Sequence, residues 1–209
     1  MGRNSKNTKK KILDAAHSLI LDLGFSGSTV DAIIKQAGVS KGAFFHYFSS
    51  KQELGHLLMQ RYAEEDAKHL NETLDKAEEL SDDPLQQLLI FIKLFEQEMN
   101  SLKEPYPGCL FASYLNQSEL FDDHAMGIIR KSMLTWRQRV LTKLKVVIKK
   151  YPPNREVELE SLADMLLVTF EGAFILSQSL EDSGIIARQL SHYHTYLSLL
   201  FEKSSTRTN

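Results

Sequence analysis

The sequence predicts an all-α chain of about nine helices, with a three-helix N-terminal head and a larger helical body. Three observations carry that prediction. Apolar residues recur at three- and four-residue spacing in segment after segment, the mark of helices with one buried face. Glycine (10) and proline (5) are scarce among 209 residues, which disfavours a strand-and-turn fold. Residues 28–54 read as two short helices joined by a tight turn and followed at once by a third, a helix-turn-helix arrangement.

The elements follow in order. Residues 1–7 are polar and read as a loose end, and Lys9, Lys10 and Lys11 form a basic run at the start of the first helix. That helix is predicted over 8–23, with Ile12, Ala16, Leu19, Ile20 and Leu23 as its buried stripe. Gly24 ends it, and Phe25 packs beneath the helix-turn-helix. Ser28 with Asp31 suits a capping box, a hydroxyl on the free amides and a carboxylate reaching back. Val30, Ile33 and Ile34 give the second helix an apolar face. Gly38 ends it in the left-handed region that glycine enters at little cost. Val39 plugs the turn. Ser40 caps the third helix, 41–48, which is too short to hold alone and turns Phe44 and Phe48 inward. Ser50 with Glu53 repeats the capping pattern and opens a long fourth helix, 51–79, that leaves the head and enters the body.

Ser81-Asp82-Asp83-Pro84 is a break, with Asp83 as N-cap and Pro84 at the first helical position. The fifth helix carries Leu85, Leu88, Ile92, Phe95 and Met99 on one stripe and stops at Glu104-Pro-Tyr-Pro-Gly108. The sixth spans 108–120. The seventh, 125–150, lines up Ile129, Met133, Trp136, Val140, Leu144 and Val147, and Tyr151-Pro-Pro-Asn154 ends it. The eighth, 157–179, is apolar on more than one face, through Leu162, Leu166, Leu167, Phe170, Ala173, Phe174 and Leu176. The ninth, 185–201, carries Leu190, Tyr193, Leu197 and Leu200. Two late helices with surplus apolar surface suggest a partner. The tail, 204–209, is polar and reads as loose.

Net charge is −2, and it is unevenly spread. Residues 1–55 hold eight Lys/Arg against four Asp/Glu, and the remainder holds 17 against 23. A basic head on an acidic body suits contact with phosphate. The second helix of a helix-turn-helix enters the DNA major groove with its N-terminal residues on base edges. Ser40, Lys41, Gly42 and Ala43 occupy that place: Gly42 and Ala43 let the backbone come close, Ala43 can touch a thymine methyl, and Lys41 can reach a guanine edge or a phosphate. His46 and Tyr47 face bases or backbone. Thr29 and Lys51 sit at helix N-termini, where amides and dipole favour phosphate.

The run A-G-V-S-K-G-A-F-F-H-Y-F-x-S-K, from Ala37 to Lys51, resembles the DNA-binding signature of TetR-family transcriptional regulators, and Gly24-Phe25 before Ser28 and Thr29 echoes it. The resemblance is specific over about residues 8–55. Phe45 stands where that family usually carries Tyr, and Tyr47 where it carries His. Phe45 has no hydroxyl to give a phosphate, and Tyr47 is the candidate to supply one. The resemblance implies a DNA-binding domain over 1–52 and a ligand-binding and dimerisation domain over 53–209. It further implies a homodimer formed through the last two helices, a near-palindromic operator, a small-molecule effector and a cytoplasmic location. The fourth helix, shared between the two parts, can link ligand state to head spacing. Phe91, Phe95, Met99, Cys109, Tyr114, Met133, Trp136, Phe170 and Phe174 are the candidate lining of an effector cavity, and aromatic and Met residues at helical spacing are equally the material of a plain core.

There is no Walker loop, G-x-S-x-G, HExxH or paired CxxC, so no catalytic constellation, metal site or cofactor site is expected. His192 and His194 are two apart and point to different sides of a helix, and Asp122-Asp123-His124 reads as a turn and cap. The single cysteine excludes an internal disulfide. Cys109 in a helix's first turn is the candidate thiol of a redox or electrophile sensor, against its reading as a small buried hydrophobe. No run of 18 apolar residues and no signal-peptide pattern is present. The rivals are a helical-bundle enzyme, which turnover of a ligand would favour, and a helix-turn-helix protein-interaction module without DNA binding, which weak, salt-insensitive DNA binding would favour.

Overall fold

The computed structural model describes residues 3–201, with side chains from Asn7 onward. Among them are nine α-helices: α1 (Arg3–Gly27), α2 (Val30–Ala37), α3 (Lys41–Tyr47), α4 (Lys51–Leu80), α5 (Pro84–Asn100), α6 (Leu110–Leu115), α7 (Asp123–Lys150), α8 (Leu159–Ser179) and α9 (Ile185–Phe201). A single 3-10 turn, Ser118–Leu120, lies between α6 and α7, and the described residues contain no strand. Two compact units result. The first holds the residues up to Asp66 together with Pro107–Ser132, and the second holds Ala67–Tyr106 and the residues from Met133 on; α4 and α7 contribute to both.

In the first unit α1 packs on α2 and α6. It begins at Arg3, earlier than the expected Thr8, because no Pro or Gly between them opposes a helix. The loose ends expected at Met1, Gly2 and 204–209 lie outside the described residues. Gly24 breaks the helix with φ 71 and ψ 169. Ile12, Ala16 and Ile20 are buried as expected, but Leu23 is 56% exposed, since the turn at Gly24 ends the contacted length of the helix before it. The cap of α2 is Thr29, not Ser28: Thr29 Oγ1 accepts from the Ala32 N–H at 3.2 Å. Ser28 is fully buried, and its hydroxyl donates to the Gly24 carbonyl at 2.7 Å.

Gly38, at φ 64 and ψ 38, closes α2 in the left-handed region. Its N–H bonds the Lys35 carbonyl, and the Val39 N–H bonds that of Ile34. This double bond pattern satisfies carbonyls that the helix end would otherwise leave open. Ser40 Oγ then accepts from the Ala43 N–H at 3.1 Å and starts α3. Phe44 (0% exposed) and Phe48 (1%) anchor that short helix. Each is worth about 2–3 kcal/mol of apolar burial, which a seven-residue helix needs because it cannot stand on its own hydrogen bonds.

The second unit has one continuous core in which α5 packs on α9 and α9 on α8. Leu85, Leu88, Ile92, Phe95 and Met99 of α5 are buried as their spacing predicts. Asp83 caps α5 through bonds from the Leu85 and Gln86 N–H groups, both 3.0 Å. Its other oxygen takes the Tyr151 hydroxyl and the Lys150 ammonium from the end of α7, each at 2.6 Å. Arg137 and Asp164 tie α7 to α8 with two bonds of 2.6 and 2.7 Å. Tyr193 of α9 is buried and donates to the Leu162 carbonyl at 2.9 Å, and burial raises its phenol well above the usual tyrosine range. Leu176, part of the surplus apolar surface expected of α8, is 49% exposed.

Candidate functional site

The outward residues of the head are set by what α3 buries. Phe44 and Phe48 point inward, so Lys41, Gly42, Phe45 and His46 are left exposed on the opposite face, with Ala43 and Tyr47 half-buried at its edges. Gly42 has open space where a Cβ would stand, with only Ser40 Oγ at 4.0 Å. Lys41 Nζ lies 3.8 Å from Asp31 of α2, an exposed pair that phosphate can displace because such pairs hold weakly. The His46 ring meets the Tyr47 ring edge-on at 4.8 Å. Thr29 and Ser40 are exposed caps. Each uses an oxygen lone pair for the helix amide, which leaves a hydroxyl able to donate outward to a phosphate oxygen.

Lys51 stands at the first position of α4. Its ammonium donates to the Ser26 carbonyl at 3.3 Å and sits 4.4 Å from the centre of the Phe25 ring. Partial burial there lowers its pKa from the ordinary lysine value. The α4 start is held by a reciprocal cap: Ser50 Oγ accepts from the Glu53 N–H at 3.1 Å, and Glu53 accepts from the Ser49 N–H at 2.7 Å and from the Ser49 hydroxyl at 2.5 Å. Those bonds from Ser49 hold the Glu53 carboxyl below its usual pKa.

The nine candidate cavity residues do not share one unit. Phe91, Phe95, Met99, Met133, Trp136, Phe170 and Phe174 belong to the second. Five of them are buried or half-buried in a connected aromatic cluster: Phe95 lies 5.2 Å from Phe91, 5.6 Å from Trp136 and 5.5 Å from Phe170, and Phe170 lies 5.8 Å from Phe174. Met99 packs in the same core, and Met133 is half-buried on α7. His69 meets Phe95 edge-on at 5.2 Å and bonds Glu98 at 2.9 Å.

Cys109 and Tyr114 lie in the first unit. Cys109 is the residue before α6, in extended backbone, not in its first turn as the sequence suggested, and it is buried. The expected sixth helix, 108–120, is shortened to Leu110–Leu115 because the positive φ of Gly108 and the extended Cys109 delay its start and Asn116 ends it. Tyr114 is fully buried, with its hydroxyl donating to the Gly55 carbonyl at 3.1 Å and its ring against Phe25 and Phe121. Burial raises its phenol above the usual range.

Sequence reasoning missed Gln117. Its Oε1 accepts from the Ser26 N–H at 2.9 Å, and its Nε2 lies 2.9 Å from where a Cβ on Gly24 would stand. Gly24 and Gly55 both face crowded partners. A Cβ on Gly55 would stand 2.7 Å from the Phe25 ring.

On the late helices, Met165, Val168, Ile175, Leu176 and Leu180 of α8 and its end, with Tyr196 and Leu199 of α9, remain exposed. Among the described residues no helix is long and apolar enough to cross a membrane, and no cluster of three metal-ligating side chains occurs.

Comparison with known proteins adds to this geometry. Residues 12–56 match the family model of bacterial regulatory proteins of the tetR family. A helix-turn-helix-type transcriptional repressor, DhaR of Mycobacterium sp. (strain GP1), is 24% identical over 198 residues, 93% of this chain and 90% of that protein. An uncharacterised helix-turn-helix-type transcriptional regulator from the lacX 3′ region of Lactococcus lactis is 28% identical over 120 residues; the match covers 57% of this chain and 59% of that relative. The crystal structure of a TetR transcriptional regulator from Chloroflexus aurantiacus superposes with a TM-score of 0.77 at 21% identity, covering 96% of this chain and 98% of that one, and so shares the fold.

Proposed function

The chain belongs to the tetR family of bacterial regulatory proteins, and from that premise we propose that it is a ligand-responsive, sequence-specific DNA-binding repressor of transcription, cytoplasmic and acting as a homodimer. The observation that carries this reading is α3: two buried phenylalanines fix it, and its free face offers Lys41, Gly42, Phe45 and His46 together. Such a helix enters a major groove with its N-terminal end on the bases. We assign base reading to Lys41, Gly42 and Ala43. Thr29, Ser40, His46, Tyr47 and Lys51 serve as phosphate contacts, which fix register without carrying sequence information. Phe45, exposed and without a hydroxyl, offers apolar contact to a thymine methyl or sugar in place of a phosphate bond.

Residues 1–52 act as the DNA-binding part and 53–209 as the effector-binding and dimerisation part. The exposed stripe Met165, Val168, Ile175 and Leu176 on α8, with Leu199 on α9, supports pairing of the last two helices with those of a second copy, since apolar surface of this kind seeks cover. A two-fold dimer then reads a near-palindromic operator. The aromatic cluster of Phe91, Phe95, Trp136, Phe170 and Phe174, with Met99 and Met133, is the place for an apolar effector. An effector that favours a head spacing misfitted to DNA needs a coupling of about 1–3 kcal/mol. Selection of sheared genomic DNA on the purified protein at physiological salt, followed by sequencing, tests the reading. Enrichment of a few near-palindromic sites is expected. A folded, dimeric, effector-free protein that enriches none would overturn it.

A further inference from the structure

We propose that Gln117 is a positioning residue for DNA binding: through the Ser26 peptide it holds the Lys51 ammonium where a phosphate meets it. The inference rests on the reading of Lys51 as a phosphate contact. The relay is short and directional. Gln117 Oε1 accepts from the Ser26 N–H, and the carbonyl of the same residue accepts from Lys51 Nζ. One residue near the end of α1, just past its break at Gly24, is thereby gripped from both sides, and the side chain that grips it comes from far along the sequence, 91 positions away.

The surroundings leave this grip little freedom. Gln117 follows α6 in a non-helical conformation (φ −134, ψ 37), and its own N–H bonds the Tyr114 carbonyl at 3.0 Å. Its Nε2 occupies the space that any side chain at position 24 would need, and Gly24 has a positive φ. Below the relay, Phe25 carries the Lys51 ammonium on its ring face and is itself wedged against Phe121 at 4.7 Å. Lys51 is thus a long, flexible side chain held in one place before any DNA arrives. Pre-ordering a charged side chain lowers the entropy lost when it binds. Without the Gln117 acceptor for its N–H, Ser26 is free to shift, its carbonyl leaves the ammonium, and Lys51 joins the ordinary mobile lysines of the surface.

The test measures affinity and its salt dependence for the full-length protein on its strongest selected site. The proteins are wild type, Gln117→Met, Gln117→Glu, Lys51→Ala and the double variant Gln117→Met with Lys51→Ala. Methionine keeps the length and loses the acceptor, and glutamate keeps an acceptor for the Ser26 N–H. Gln117→Met is expected to bind about tenfold more weakly, with the slope of log K against log salt reduced by about 0.9, the step of one lost phosphate contact. Lys51→Ala should show the same step, the double variant no more than either, and Gln117→Glu the wild-type slope. Three results would overturn the proposal: unchanged binding by Gln117→Met, weaker binding at an unchanged slope, or losses in the double variant that multiply. If Gln117→Met does not fold, a reduced slope in Gln117→Glu overturns it instead. An unchanged slope in Lys51→Ala, with wild type binding DNA, would remove the premise about Lys51, whereas no DNA binding by wild type would remove the DNA reading itself.

Discussion

Asp83 is the place where one side chain holds two helices, and its removal has a calculable cost. One carboxylate oxygen takes two amides of the α5 N-terminus, and the other takes Tyr151 and Lys150. Asp83→Ala loses everything. The cap accounts for about 1 kcal/mol. The Lys150 pair adds only a few tenths, because its lysine side chain is 57% exposed, and the tyrosine bond adds about 0.5–1 kcal/mol. The total is about 2 kcal/mol, or roughly 4–8 °C in Tm for a chain of this size. Asp83→Asn keeps an oxygen for the cap and loses the charge, so it should cost about half as much by the same accounting.

The pH dependence separates the charge from the cap. Lys150 first, then Tyr151 and the Gln86 amide, hold the Asp83 carboxyl well below the usual carboxylate range. A lowered pKa means stability present above the unfolded value of about 3.9 and lost as pH falls through the folded value. The gap between wild type and Asp83→Asn should therefore be full at pH 6–7 and close as pH drops below about 4. Thermal melts followed by circular dichroism, at one fixed protein concentration since dimerisation shifts Tm, provide the readout. Equal melting of Asp83→Ala and wild type at pH 7, or a gap to Asp83→Asn that widens in acid, would refute the reasoning.

Further expectations concern binding, assembly and the core. Lys51→Ala should weaken binding evenly across DNA sequences, while changes at Lys41 or Ala43 should alter base preference; anisotropy titrations against a panel of site variants separate the two. Val168→Glu, on the exposed stripe of α8, should shift the protein from dimer to monomer in sedimentation, whereas an unchanged mass would move the interface elsewhere. Phe44→Ala empties a fully buried site and should cost about 3–5 kcal/mol, visible as a lower urea midpoint. Phe170→Ala opens space in the aromatic cluster and should change which effectors release DNA, read by competition in the same anisotropy assay.

The helix pattern was legible because it depends on neighbours in sequence. Gly38, Ser40, Asp83 and Pro84 each mark a helix end through their own backbone or short side chain, and each does so in the structure. The errors arose where distant contacts decide. Ser28 and Thr29 are equally good caps by type; the broken backbone at Gly24 provides a carbonyl for Ser28 and leaves the cap to Thr29. Leu23 fits an apolar stripe, yet nothing in periodicity says where the covering surface stops. Tyr114 braces Gly55, 59 residues away, a contact that its local pattern does not announce. Gln117 carried no local sign at all, since its partner lies 91 residues away.

The division of labour on α3 also bears on how such a protein changes over generations. Ser40 caps α3 and is also a proposed phosphate contact, so altering it would alter the fold and the recognition together. Lys41, Phe45 and His46 are exposed and cap nothing. They can be replaced at small cost in stability, as surface positions generally can. On the contacts proposed above, new operator preference is therefore open to drift at Lys41 and Phe45 on a fixed frame, and a lineage can retarget its regulator without first rebuilding it.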